Sequence, residues 1–153
     1  MDINNKVQNL LKNNEYYFSL KRKSKLKKTY WSKTKDPDGK IRDRLSNHNH
    51  ERKNFLKNNK SLIRLIESVN FKSMCDVGCG SGYLLSAFSK KKFNLVGIDN
   101  DIEALQLASK YAGVFRSDLN KENLNIKSKF DLVVCYHVIE HVTNPNILIK
   151  NIY

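Results

Sequence analysis

A cluster of three glycines set between two apolar runs constrains this chain more than any other feature. It reads Cys75-Asp76-Val77-Gly78-Cys79-Gly80-Ser81-Gly82-Tyr83-Leu84-Leu85. Ser73 to Val77, before the glycines, is short and mostly apolar, as a buried strand would be. After them, Tyr83 to Lys90 places Leu84, Leu85, Ala87 and Phe88 where a helix would bury them. Strand, glycine turn and helix open a βαβ unit. The loop fits neither of two familiar phosphate sites. A dinucleotide fingerprint puts its third glycine one position later, where Tyr83 stands, and a P-loop would end in Gly-Lys-Ser/Thr. A nicotinamide-dinucleotide enzyme is therefore disfavoured.

The same rhythm continues downstream. Phe93 to Ile98 predicts a second strand ending at Asp99, and Asp101 to Tyr111 a helix that Asn100 is placed to cap. Ala112 to Arg116 predicts a third strand ending at Ser117-Asp118, and Phe130 to Cys135 a fourth. A last helix opens at Asn144, with Pro145 in its first turn. Strands alternating with helices imply an α/β fold, a Rossmann-like doubly wound parallel sheet. Continuous rather than alternating apolar strands agree with a sheet covered on both faces.

Each strand ends in an unusual polar residue: Asp76, Asp99, Asp118 and His137. Any one of them could be a helix cap or a turn residue. All four at one sheet edge is not what core packing alone would produce, and ligands of open α/β sheets bind at that edge. Gly78 and Gly80 let a ligand approach the backbone. Asp99, 19 residues past Gly80, stands where an acid accepts both hydroxyls of a ribose. The ligand read from these residues carries a ribose and an anionic end, without a pyrophosphate.

Asp76 to Gly82 resembles the D-x-G-x-G-x-G motif of class I S-adenosylmethionine-dependent methyltransferases. Val96-Gly97-Ile98-Asp99-Asn100-Asp101 is similar to their second-strand acidic motif. Phe130 to Val142, FDLVVCYHVIEHV, resembles the fourth-strand region of the subgroup acting on small molecules, quinone-pathway enzymes among them. The resemblance covers about residues 72–150. It implies S-adenosylmethionine as cofactor and a small-molecule methyl acceptor with an oxygen, nitrogen or carbon nucleophile. It further implies that backbone around Gly78, Cys79 and Gly80 holds the methionine part, with Asp76 meeting its amino group directly or through water. Asp99 would take the ribose hydroxyls and Asn100 the adenine side. Asp118 would meet the adenine amino group, Leu119 would flank the ring, and Tyr136 and His137 would lie beside the methyl group.

Methyl transfer is an in-line displacement, so alignment and exclusion of water matter most. A base is needed only where the acceptor must lose a proton, and His137, Glu140 and His141 follow the strand that faces the methyl group. For His141 the competing reading is a backbone hydrogen bond in a connecting turn.

The net charge of +13 is unevenly spread: residues 1–70 carry 18 − 7 = +11 and residues 71–153 carry 10 − 8 = +2. Residues 1–50 read as a basic arm or lid, partly irregular, and residues 51–153 as the sheet domain. Within the arm, residues 1–20 suggest a short helix, and Asp36-Pro37-Asp38-Gly39 a turn. Glu51 to Val69 predicts an amphipathic helix with Phe55, Leu62, Leu65, Ile66 and Val69 largely on one face. Lys21 to Lys28 holds six basic residues in eight, followed by Tyr30 and Trp31. Nucleic-acid surfaces mix cations and aromatics this way. With 19 asparagines, however, the chain shows a compositional bias, and a solvated arm or substrate lid is the preferred reading. An RNA methyltransferase using the arm, or a catalytically silent nucleotide-binding module, are the alternatives. The three cysteines form no CxxC pair and predict no metal site, the start has no secretory h-region, and no apolar run is long enough to span a membrane. These features suggest a reduced, cytoplasmic protein. The family sheet has seven strands and four are read here, which predicts an incomplete form of a longer methyltransferase. Its fourth strand would be a bare edge, and it would bind cofactor weakly or not at all.

Overall fold

The computed structural model describes residues 33–35, 41–121 and 128–153. A small antiparallel pair, β1 (Lys33–Lys35) and β2 (Ile41–Asp43), leads into α1 (Arg44–Asn58) and α2 (Lys60–Glu67). Then follow β3 (Ser73–Val77), α3 (Tyr83–Phe88), β4 (Asn94–Asp99), α4 (Ile102–Ala108) and β5 (Gly113–Arg116). The chain ends with β6 (Leu132–Val134), a 3-10 turn (Ile139–His141) and α5 (Pro145–Ile152). The expected helix in residues 1–20, the basic segment at 21–28 and the turn at 36–39 lie outside the described residues.

Strands β3 to β6 form one parallel sheet in the order β5-β4-β3-β6. The chain steps outward from β3 to β5 and then crosses back to the far side of β3. The switch in strand order therefore falls at β3, directly below the glycine loop, where open α/β sheets make their ligand crevice. Both faces are covered, as the continuous apolar strands predict. On one face, Met74, Leu84, Leu85, Phe88 and Leu105 pack together; on the other, Cys75, Val77, Val96, Ile98, Phe115 and Leu148. Burying a side chain of this size contributes about 1.5–3 kcal/mol. Asp131 joins β6 to β3 at the opposite end: its Oδ2 accepts Lys72 N–H, Ser73 N–H and Ser73 Oγ–H at 2.8–2.9 Å.

Three local expectations are corrected. The helix expected over 51–69 begins seven residues earlier, at Arg44, and breaks at Asn59. Phe55, Leu62 and Ile66 do face the core, but Leu65 and Val69 are exposed at 65% and 41%. The cap of α4 is Asp101, not Asn100: Asp101 has extended φ/ψ, and its Oδ1 accepts Glu103 N–H at 2.9 Å and Ala104 N–H at 3.2 Å. The fourth strand is three residues long, shorter than Phe130 to Cys135. At α5 the reading holds, with Asn144 accepting Asn146 N–H at 3.1 Å and Pro145 in the first turn.

Candidate functional site at the sheet edge

All three loop glycines have left-handed backbone, φ 77° at Gly78, 50° at Gly80 and 74° at Gly82. Their missing side chains serve different ends. A Cβ on Gly82 would lie 2.7 Å from Ala108 Cα, so this residue lets the loop pack on α4. A Cβ on Gly78 would run into Val138, so there the close approach is made by the protein itself. At Gly80 the space is open, and a ligand can meet the backbone.

Strand β4 braces the loop from below. Gly78 N–H and Cys79 N–H both donate to the Ile98 carbonyl, at 2.7 and 2.9 Å. Gly80 N–H donates to Asp99 Oδ2 at 2.8 Å, and Asp101 N–H donates to Asp99 Oδ1 at 2.9 Å. The Cys79 thiol is turned into the core against Gly97, so this residue offers a ligand only its backbone. Burial pushes the thiols of Cys75, Cys79 and Cys135 up, so none is poised as a nucleophile.

Asp76 is 4% exposed, on the penultimate rung of β3. Among the described residues no hydrogen bond ends on its carboxylate. Burial first, and the Asp99 carboxylate second, push its pKa up to about 7. A buried, unbonded acid beside a second acid is costly unless a cation or a donor meets it.

At the end of β5, Asp118 Oδ1 accepts Asn120 N–H at 3.1 Å and Asn120 Nδ2–H at 3.2 Å, and the backbone N–H holds its carboxyl below the usual range. Asn120 Oδ1 in turn accepts Thr143 N–H at 2.7 Å and Thr143 Oγ1–H at 2.9 Å. Asp118 is thereby tied to the segment leaving the 3-10 turn. Leu119 packs against the second core cluster, and Asn100 is exposed, its carbonyl accepting Arg116 Nε–H at 3.2 Å.

After β6, Tyr136 is half-buried and His137 exposed, their rings 4.2 Å apart between centroids. His137 has φ 56°, the one described non-glycine residue in the left-handed region, which costs a side-chain-bearing residue about 1–2 kcal/mol. Its Nδ1 lies 3.0 Å from Glu140 Oε1. The Glu140 carboxyl is held down by its own backbone N–H first and by His137 second, so it is ionised and accepts. His137 Nδ1 is therefore the protonated nitrogen, which leaves Nε2 as the acceptor of the neutral ring. His141 is exposed on the 3-10 turn, its N–H donating to the Val138 carbonyl at 2.8 Å. No group of three His, Cys, Asp or Glu among the described residues is arranged to hold a metal ion.

The sequence reading missed a seam along α1. His48, Glu51, Phe55 and Asn59 follow helical spacing and meet three tyrosines from the sheet domain. His48 Nε2 lies 3.1 Å from Tyr111 Oη, and its ring 5.1 Å from that of Tyr83. Tyr83 Oη–H donates to Glu51 Oε2 at 2.8 Å, Phe55 packs on Tyr83 and Tyr136, and Tyr136 Oη–H donates to Asn59 Oδ1 at 2.8 Å. His48 is buried, which lowers its pKa, with Lys110 and Arg52 adding to the effect. The spacing of these four residues was the available signal, but the surrounding Asn/Lys-rich stretch masked it.

A parallel sheet whose strand order switches at β3, with a glycine loop above it and acids ending the two central strands, defines a Rossmann-like domain of the class I S-adenosylmethionine-dependent methyltransferase type. The family model described as "Methyltransferase domain" matches residues 40–153, and the chain belongs to that family. It is 32% identical over 91 residues to a ubiquinone biosynthesis O-methyltransferase of Actinobacillus pleuropneumoniae serotype 7, a match covering 52% of this chain and 39% of that one. The methyltransferase domain of bacterial CtHen1 superposes with a TM-score of 0.50 at 27% identity, covering 62% of this chain and 56% of that one. Magnesium protoporphyrin IX methyltransferase from Synechocystis PCC 6803, solved with bound SAH, shares the fold, with a TM-score of 0.52 at 18% identity over 63% of this chain and 49% of that one. The matched region is thus well under two thirds of the length of these proteins. No helix among the described residues is long and apolar enough to cross a membrane.

Proposed function

We propose that this chain binds S-adenosylmethionine along the carboxyl edge of the sheet and transfers its methyl group to an oxygen of a small-molecule acceptor. Asp76 carries the reading. A buried carboxylate with no hydrogen bond among the described residues, next to Asp99 and the open space at Gly80, suits a nucleoside that brings an ammonium group and hydroxyls. The pyrophosphate of a dinucleotide would meet repulsion from both acids. Membership of the methyltransferase family and the SAH-bound structural neighbour support the same cofactor, and the O-methyltransferase relative supports an oxygen acceptor.

In this reading the backbone at Gly80, together with Asp76, holds the amino-acid end. Asp99 accepts the ribose hydroxyls with the lone pairs its two N–H partners leave over. Asn100, Asp118 and Leu119 form the adenine side. When bound, S-adenosylmethionine supplies a methyl carbon activated by a positive sulfur. Tyr136 and His137 line the acceptor side, where His137 Nε2 takes the acceptor's proton and Glu140 steadies the charged ring. Holding the nucleophile in line supplies much of the rate.

Calorimetry of the chain with S-adenosylhomocysteine and with NAD tests the reading. Binding of the first and not the second is expected, with loss of that binding in Asp76→Asn. Binding of NAD alone, or unchanged S-adenosylhomocysteine affinity in Asp76→Asn, would overturn it.

A further inference from the structure

Asn59 occupies the break between α1 and α2, yet its side chain does not cap α2. Instead Nδ2–H donates to the Phe55 carbonyl at 2.9 Å, alongside Asn59's own backbone N–H at 2.9 Å. That contact fixes which way the amide points and turns Oδ1 toward Tyr136, whose hydroxyl donates to it at 2.8 Å across 77 residues of sequence. Phe55 meets the edge of the same tyrosine ring, at 6.5 Å and 79°. On its other side Tyr136 stands edge-on to His137, at 4.2 Å and 67°. His137 is exposed and sits in a left-handed conformation that a non-glycine residue keeps only when its surroundings hold it there. Among the described residues its ring meets Tyr136 and Glu140 Oε1.

We propose that Asn59 is a positioning residue: through Tyr136 it sets the orientation of His137 at the acceptor side of the site. Its importance for methyl transfer rests on the function proposed above, but the coupling itself does not. Three features point to coupling rather than simple packing. The amide is oriented by a second hydrogen bond, the helix breaks where that amide is needed, and the chain of contacts ends on the strained residue. Tyr136 has one hydroxyl, so losing either partner of its bond to Asn59 releases the same ring.

The test is histidine NMR on the chain labelled at the imidazole carbons. The chain has four histidines, and His137→Asn assigns the signal of interest. Asn59→Ala and Tyr136→Phe are expected to move the His137 ring resonances in the same direction, with the double variant moving them no further. The His50 and His141 signals stay in place. Tyr136→Phe removes a single oxygen and keeps the ring, so it decides the matter even where Asn59→Ala does not fold. An unmoved His137 signal in Tyr136→Phe, or shifts that add in the double variant, would overturn the proposal. Binding of NAD in place of S-adenosylhomocysteine by the wild type would count against the proposed function and leave this NMR result standing.

Discussion

Gly80 donates its N–H to Asp99 Oδ2 at 2.8 Å, linking the open point of the glycine loop to the acid that ends the next strand. Loop and carboxylate therefore fix each other before any ligand arrives. Asp101 N–H on the other oxygen completes the arrangement. A site organised this way loses little entropy when it closes on a diol.

Replacing Asp99 tests this directly. Asp99→Ala removes two hydrogen bonds to a charged group, each worth about 1.5–3 kcal/mol, and all acceptors for a ribose. Affinity for S-adenosylhomocysteine should fall by about 10–100-fold or more, with a lower unfolding temperature. Asp99→Asn keeps one acceptor oxygen and should fall between Ala and wild type. Calorimetry and thermal melts measure both, and unchanged affinity in Asp99→Ala would remove Asp99 from the site.

The glycines should separate stability from binding. Gly82→Ala puts a Cβ 2.7 Å from the α4 backbone at a left-handed φ, so the loop or the helix must move. A loss of roughly 2–4 kcal/mol in urea unfolding is expected. Gly80→Ala meets only the backbone strain, about 1 kcal/mol, because nothing lies within 4 Å of its Cβ. Its cost should appear instead as weaker S-adenosylhomocysteine binding. Equal destabilisation by the two substitutions would contradict the assigned roles.

The sheet was legible because its signals are local. A short apolar strand, a glycine turn and a helix repeat at regular spacing, and Asp76, Asp99 and Asp118 fall at strand ends whatever the details of packing. What could not be read depends on partners distant in sequence. Asn100 and Asp101 are both good caps, and it is Asp101, its own N–H held by Asp99 Oδ1, that caps the helix. The break at Asn59 lies in a run of Lys and Asn that carries no helix stop. The hydrogen-bond partner that Asn59 Oδ1 finds there is Tyr136, 77 residues away. The occupant of the space left by Gly78 was equally hidden, since Val138 reaches it from the far end of the fourth strand.

His137 offers a stability test that needs no substrate. Glycine at its φ of 56° escapes the side-chain strain of about 1–2 kcal/mol, against the roughly 0.5–1 kcal/mol that glycine's flexibility costs on folding. The hydrogen bond to Glu140 is exposed on both sides and contributes little. His137→Gly should therefore be as stable as wild type or slightly more so, whereas His137→Val, β-branched, should lose stability. Chemical denaturation compares them. A clear loss in His137→Gly would mean that the contacts of the imidazole outweigh its strain.

Asp76 sets the expected pH dependence. Its pKa is raised from 3.8 in the unfolded chain to about 7 in the fold, by burial and then by Asp99. The folded state thus binds this proton more tightly, so the stabilisation is full below pH 4 and lost as pH rises through 7. Between pH 5 and pH 8 wild type should lose roughly 2–3 kcal/mol relative to Asp76→Asn, which cannot ionise there. Ligand reverses the sign. An ammonium group beside Asp76 favours the carboxylate, so S-adenosylhomocysteine should bind more tightly as pH rises toward 7, and the variant should show no such gain. Urea unfolding and calorimetry across this range measure the two slopes. Parallel stability curves for wild type and variant would show that Asp76 is already ionised and satisfied in the free protein, and the case for a cationic ligand at this position would fall with it.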